Sequence, residues 1–195
     1  DTFIGAVTAY STLGWFNDPL HTGFTSLPDD RMVALMFHEL AHQVVYIKED
    51  TAFNESFATA VELEGLRIWL EQQASEAGFD RALQRLEHRN RTLAADGLRD
   101  RKATLLEELA HAYAELSEHY PEPGPFGTPP VRLNNANLAL FQQYNQHVPA
   151  FRQLLRDHHY DFGRFYDSVE TLSRATPEAR EQQLSALSQR FVEHL

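Results

Sequence analysis

The segment FHELAH (37–42) is the feature that most constrains this chain, because it places two histidines four residues apart within a predicted helix. Residues 31–47 carry apolar side chains at three- and four-residue spacing, which is typical of an amphipathic helix. At about 100° per residue, His38 and His42 lie about 40° apart, one turn above each other. Two imidazoles so placed can converge on one Zn²⁺ at roughly 2.0–2.1 Å.

Glu39 lies beside this face, about 100° round the helix from His38. There its carboxylate can reach a water on the metal without itself binding the metal. We therefore predict that Glu39 is the general base that takes a proton from this water. The alternative is that His38 and His42 are two partly buried histidines of an ordinary amphipathic helix.

A catalytic zinc site needs a third protein ligand, and the sequence offers Glu55. This residue follows His42 by 13 positions and lies in the first turn of a second predicted helix, which ends near residue 77. A short loop would let the second helix pack against the first and point Glu55 at the same metal. The alternative is a surface acid that the helix dipole favours. Glu62, two turns further on, could accept a hydrogen bond from His38 or His42, although such a residue is more often simply solvated.

Periodicity over the whole chain predicts a mainly α fold with a small N-terminal β element at residues 3–10. Asp29 and Asp30 are predicted to cap the helix that contains the two histidines. Residues 80–120 are predicted to form one long helix or a helical hairpin, and shorter helices are predicted over about 135–145, over about 148–173 with a break near Gly163, and over about 178–194 with Thr176 as N-cap and Pro177 at its first position. The length of 195 residues suits a single domain over 1–195.

Composition excludes several classes of partner and site. The net charge of −11 would repel phosphate backbones, so we expect no nucleic-acid partner. No apolar stretch approaches the ~20 residues that a transmembrane helix needs. The chain has no cysteine, which excludes thiolate ligands and cysteine nucleophiles. It opens at Asp1 in place of Met and without a signal peptide, so we expect a processed or truncated beginning.

Four segments together resemble the bacterial predicted-aminopeptidase family of zinc metallopeptidases: YSTLGWF (10–16), HELAHQ (38–43), NESFA (54–58) and RLNNANL (132–138). The similarity runs from Tyr10 to about Phe151. The pairing of HELAHQ with NESFA resembles the gluzincin arrangement of two histidines and a downstream glutamate. The resemblance implies a zincin-like catalytic domain that holds one Zn²⁺ through His38, His42 and Glu55, with Glu39 as base.

The same resemblance implies zinc-dependent hydrolysis of peptide bonds, of an aminopeptidase-like kind, in the bacterial periplasm or cell envelope. Members of the family are longer at the N-terminus, with an export signal and often a lipid-attachment cysteine. Within the shared segments, Tyr10 and Asn54 are expected to contact the substrate, Tyr10 at the end of a strand that could pair with an extended peptide. The interval between His42 and Glu55 is shorter than in large aminopeptidases, and their GxMEN-type sequence is absent, so exopeptidase action is implied by the family alone.

The oxyanion of a tetrahedral intermediate needs a donor besides the metal. Tyr144, His147, Tyr10 and Tyr46 are candidates. Tyr144 is favoured because it follows RLNNANL on a predicted helix after the proline-rich segment 121–130, and the alternative is a core tyrosine. Two other functions stay open: a degenerate zincin fold whose structural metal supports a partner-binding module, and a zinc hydrolase of non-peptide or cell-wall amides.

Overall fold

A computed structural model describes residues 22–73, 102–118, 128–131, 133 and 135–191. Within these ranges the chain is mainly α-helical, which confirms the predicted fold class, and no strand occurs in them. Their eight helices are α1 (Thr22–Thr25), α2 (Asp29–Val44), α3 (Thr51–Gln73), α4 (Lys102–Ser117), α5 (Asn135–Asn145), α6 (Val148–Asp157), α7 (Phe162–Ser173) and α8 (Pro177–Arg190). None of these helices is long and apolar enough to cross a bilayer.

The helix ends show which caps could be predicted from the local sequence. Thr176 caps α8 as predicted, since its hydroxyl accepts a hydrogen bond from the Ala179 amide at 3.3 Å. The prediction that Asp29 and Asp30 cap α2 is wrong. Pro28 occupies the N-cap position and both aspartates lie in the first helical turn, where their charge favours the positive end of the helix dipole.

The predicted break near Gly163 lies slightly earlier, in the turn at residues 158–161 between α6 and α7. His159 and Tyr160 take positive φ angles of 54° and 60° there, which end α6. Asp161 then caps α7 by accepting a hydrogen bond from the Arg164 amide at 3.2 Å. The predicted strand at 3–10 and residues 80–101 of the predicted long helix or hairpin lie outside the described residues.

Two compact units divide the chain, one with Asp1–Gly5 and Trp69–Gln142 and the other with Ala6–Ile68 and Gln143–Leu195. In the first unit α4 buries Tyr113, whose carbonyl accepts a hydrogen bond from the Ser117 hydroxyl at 2.7 Å. The second unit contains every predicted site residue that the structure describes. The single domain over 1–195 stays a prediction.

The core of the second unit is a cluster of four fully buried phenylalanines, which are Phe53, Phe57, Phe151 and Phe165. The ring of Phe151 lies 5.1 Å from that of Phe53 and 5.7 Å from that of Phe57, centroid to centroid. Burial of one such side chain stabilises the fold by about 1.5–3 kcal/mol. Phe53 and Phe57 are on either side of Glu55 in the chain, so the core fixes the rotation of α3 and with it the direction of Glu55.

Helices α2 and α3 approach each other closely at Gly65. A Cβ atom at this position would lie 2.9 Å from the ring of Phe37, closer than real Cβ contacts come. Glycine therefore sets the distance between the helix that carries the two histidines and the helix that carries Glu55.

Candidate metal centre

Helices α2 and α3 bring His38, His42 and Glu55 together. Nε2 of His38 lies 3.3 Å from one carboxylate oxygen of Glu55, and Nε2 of His42 lies 3.8 Å from the other. The two imidazole rings, both buried, meet edge to face with their centroids 4.9 Å apart. One ligand atom from each of the three residues lies within 4.8 Å of the others.

This donor set fits a metal ion. Ligands at roughly 2.0–2.1 Å from a tetrahedral zinc ion are about 3.4 Å from one another. The separations of 3.3 and 3.8 Å, each from one imidazole to a different oxygen of Glu55, are near that value, and one atom from each of the three residues lies within 4.8 Å of the others. Two imidazoles and one carboxylate also form a donor set that catalytic zinc sites use, with the fourth position left to water. The three residues could therefore hold a metal ion.

Glu62 lies behind His38, on the side away from Glu55. Its carboxylate is 3.1 Å from Nδ1 of His38, and both side chains are buried. A carboxylate in this position fixes the tautomer and the ring orientation of a histidine that binds metal through Nε2. Nδ1 of His42, by contrast, is buried and has no hydrogen-bond partner within the part of the chain that the structure describes.

The two imidazoles differ in their affinity for protons. Burial by itself would lower the pKa of His38, but the hydrogen bonds and charges of Glu55 and Glu62 outweigh burial and raise the pKa to about 9. Burial and the nearby positive charge of His38 lower the pKa of His42. The two carboxylates thus favour positive charge on His38, and a metal ion held by Nε2 together with His42 and Glu55 would displace the proton from that nitrogen.

Asn54, a predicted substrate contact, lies in the first turn of α3. It is buried, its side-chain oxygen accepts a hydrogen bond from the Ile47 amide at 2.8 Å, and its Nδ2 donates to the Ile47 carbonyl at 2.7 Å. Both ends of the amide are engaged, so Asn54 supports the connection of residues 45–50 between α2 and α3. The substrate contact predicted for Asn54 stays a prediction.

Two tyrosines lie beside the histidines. The ring of Tyr144 stacks on that of His38 at 6.4 Å and 22°, and the ring of Tyr46 meets that of His42 edge to face at 6.4 Å. Burial raises the pKa of Tyr144, and the charges of Glu55 and Glu39 raise it further, so its hydroxyl stays protonated and can donate.

Three predicted site residues remain, which are Glu39, His147 and Tyr10. Glu39 is half-buried on α2, between the two histidines in sequence. His147 is buried, and its backbone amide donates to the Ser56 hydroxyl at 3.0 Å, which ties it to the helix of Glu55. Tyr10 lies outside the described residues.

Gly65, where α2 and α3 approach closely, and Asp50, which caps α3, were not identified from the sequence. A glycine inside a predicted helix costs about 1 kcal/mol of helix stability relative to alanine. Its presence at position 65 could therefore have indicated a close packing contact. Asp50 precedes α3 directly and its Oδ1 accepts a hydrogen bond from the Phe53 amide at 3.1 Å, so its sign was a capping residue before a helix.

The fold and the site together define a mainly α-helical protein with a candidate metal centre. The chain belongs to the family described as "Putative aminopeptidase", whose model matches residues 1–184. That description names a peptidase-like hydrolase and therefore an enzyme. Comparisons with curated proteins and with solved structures give no significant match.

Proposed function

We propose that this chain hydrolyses peptide bonds in an aminopeptidase-like reaction that depends on one zinc ion held by His38, His42 and Glu55 in a gluzincin-like arrangement. The observation that carries the proposal is the convergence of these three groups, in a chain of this family. When bound, zinc lowers the pKa of a water toward ~7 and polarises the scissile carbonyl. Glu62 holds the His38 ring through Nδ1, so Nε2 would be the nitrogen that binds the ion.

Glu39 acts as the general base and then as the general acid. It takes a proton from the attacking water and delivers it to the leaving amine, which is the role for which a carboxylate beside the ligands is suited. Two observations support this role. Glu39 follows His38 directly on α2, and its charge acts on the Tyr144 phenol together with that of Glu55.

Tyr144 supplies a hydrogen bond to the oxyanion. Its side chain is partly accessible, at 38% exposure, and stacks on His38. The raised pKa keeps the phenol protonated as negative charge develops beside it. Tyr10 is a further proposed contact to the substrate, which is a peptide. The proposed location is the bacterial periplasm or cell envelope. These proposals rest on the resemblance carried by residues 10–16, 38–43, 54–58 and 132–138.

A comparison of wild type with Glu39→Gln tests this function. Both proteins are expected to bind one zinc ion per chain, because Glu39 is not a ligand. Wild type should cleave a peptide library, and Glu39→Gln should be slower by ~10²–10⁴-fold. A library with free and with acetylated amino termini distinguishes aminopeptidase action, which needs the free amine, from endopeptidase action.

The same experiment separates the other functions. One zinc ion in both proteins without cleavage by wild type would contradict the enzyme and favour a structural metal in a partner-binding module. Cleavage of muropeptides in place of library peptides would favour a hydrolase of cell-wall amides.

A further inference from the structure

Asp50 forms two sets of hydrogen bonds at the start of α3. Its Oδ1 caps the helix by accepting from the Phe53 amide at 3.1 Å. Its Oδ2 accepts from Nη2 of Arg180 at 2.7 Å and from Nε at 3.1 Å. Arg180 lies in α8, 130 residues further along the chain, and is buried. The start of the helix that carries Glu55 is therefore tied to α8.

Arg180 is itself held in place by the end of α7. Its Nη1 donates to the carbonyl of Ala175 at 3.0 Å and more weakly to that of Ser173 at 3.4 Å. Its guanidinium also lies over the ring of Phe53, 5.5 Å from the centroid. All three guanidinium nitrogens thus have acceptors, and the planar group cannot rotate without loss of several hydrogen bonds.

The position of Glu55 depends on this arrangement. Glu55 follows Asp50 by five residues, so the direction of its carboxylate depends on how the first turn of α3 is set. The Arg180 guanidinium fixes both ends of that turn, since it bonds Asp50 and covers Phe53. A second tie lies one residue after Glu55, where the Ser56 hydroxyl accepts from the His147 amide.

We propose that Arg180, acting through Asp50, is a positioning residue that orients the Glu55 carboxylate toward His38 and His42. This inference rests on the proposed function, because it assumes that Glu55 is a metal ligand. A ligand that is already oriented loses less conformational freedom on binding, which increases affinity. Helix α8 thereby contributes to metal affinity although it supplies none of the ligands.

The test is a double-mutant cycle of Arg180→Met and Asp50→Asn, with zinc affinity measured by competition with a chromogenic chelator. Asparagine caps a helix as well as aspartate does, so Asp50→Asn removes the ion pair and keeps the cap. Each single variant should bind zinc about tenfold more weakly, as is typical when a group that supports a ligand is lost. The double variant should be no weaker than Arg180→Met, because that change already removes the ion pair that Asp50→Asn removes.

A second readout needs no metal. In the metal-free proteins, hydrogen exchange of a peptide that covers residues 50–58 should be faster in Arg180→Met than in wild type. Arg174→Met is the matched control, since Arg174 is exposed and pairs with Glu170 within one turn. It should change neither zinc affinity nor exchange at 50–58. If Arg180→Met does not fold, Arg180→Lys and Asp50→Asn carry the test.

Two outcomes separate this inference from the proposed function. Wild-type zinc affinity in Arg180→Met and Asp50→Asn, with zinc binding lost in His42→Ala, would overturn the positioning role and leave the proposed function intact. Absence of stoichiometric zinc from wild type would overturn both.

Discussion

Glu62 and Glu64 are two buried carboxylates on the same helix, yet their surroundings differ in kind. Glu62 lies 3.1 Å from Nδ1 of His38. Glu64 accepts hydrogen bonds from Nε of Arg152 at 2.8 Å and from Nε of Arg67 at 2.9 Å. One carboxylate thus faces a group that can lose its charge, and the other faces two groups that cannot.

The different partners of Glu62 and Glu64 suit the two carboxylates to different roles, one in metal binding and the other in stability of the fold. Burial by itself would raise the pKa of Glu64, but Arg152 and Arg67 outweigh it and lower the pKa. The Arg67 guanidinium also lies 5.0 Å from the ring of Tyr160, so a cation–π contact adds to the group of Glu64, Arg152 and Arg67, which we call the Glu64 cluster. A proton on Nε2 of His38, the nitrogen that faces Glu55, can instead be exchanged for a metal ion. We infer that the arginine-paired carboxylate holds the fold and the histidine-paired carboxylate serves the metal centre.

The largest effect is expected from Arg152→Met, which breaks the Glu64 cluster. Removal of one partner leaves a buried charge less compensated, and such changes cost about 3–5 kcal/mol. The free energy of unfolding, measured in urea, should fall by this amount, while zinc affinity of the folded protein stays within about twofold. A fall in zinc affinity with an unchanged free energy of unfolding would contradict the assignment of Glu64 to stability of the fold.

Glu62→Gln should have the converse effect. The amide cannot stabilise a positively polarised His38, so zinc affinity should fall by ~10–100-fold. Glu64→Gln is the matched control on the same helix, and it should lower stability with little change in zinc affinity. Equal losses of zinc affinity in the two variants would show that the two carboxylates act as one network.

The smallest effect is a pH dependence of opposite sign at the two sites of the metal-free protein. The pKa of Glu64 is lowered in the fold, so its contribution to stability is present above its ordinary pKa of 4.5 and is lost as pH falls. The pKa of His38 is raised from 6.5 to about 9, so its contribution is present below pH 6.5 and is lost as pH rises through about 9.

Urea unfolding between pH 3 and pH 10 checks both signs. The stability difference between wild type and Glu64→Gln should shrink toward the acid end, and that between wild type and Glu62→Gln should shrink toward the alkaline end. Parallel curves for the two variants would contradict the comparison.

Local periodicity was sufficient to predict the part of the site that lies on one helix. His38, Glu39 and His42 are placed by the geometry of α2 alone, and the Thr176 cap follows from a hydrogen bond three residues away. The proximity of Glu55 to the histidines could be anticipated because few residues connect α2 to α3. The hydrogen bonds of Asn54 to the backbone of Ile47 could not be anticipated from the NESFA segment, because they depend on how the chain turns between α2 and α3.

The contacts that position the site could not be predicted in the same way. Arg180 with Asp50 and Arg152 with Glu64 join residues far apart in sequence, and no periodic pattern records such pairs. The close approach of Phe37 to Gly65 depends on how two helices pack. These features belong to tertiary structure, where the hydrogen bonds and packing of distant segments decide the outcome.

The proposed reaction depends on one zinc ion held by His38, His42 and Glu55. Calorimetric titration of metal-free wild type with zinc tests this binding directly, with His42→Ala and Glu55→Ala as variants that remove one ligand each and Glu49→Ala, on the exposed turn between α2 and α3, as control. Wild type and the control should bind one ion per chain, and both ligand variants should lose that binding. Stoichiometric binding that persists in His42→Ala, or its absence from wild type, would contradict this proposal.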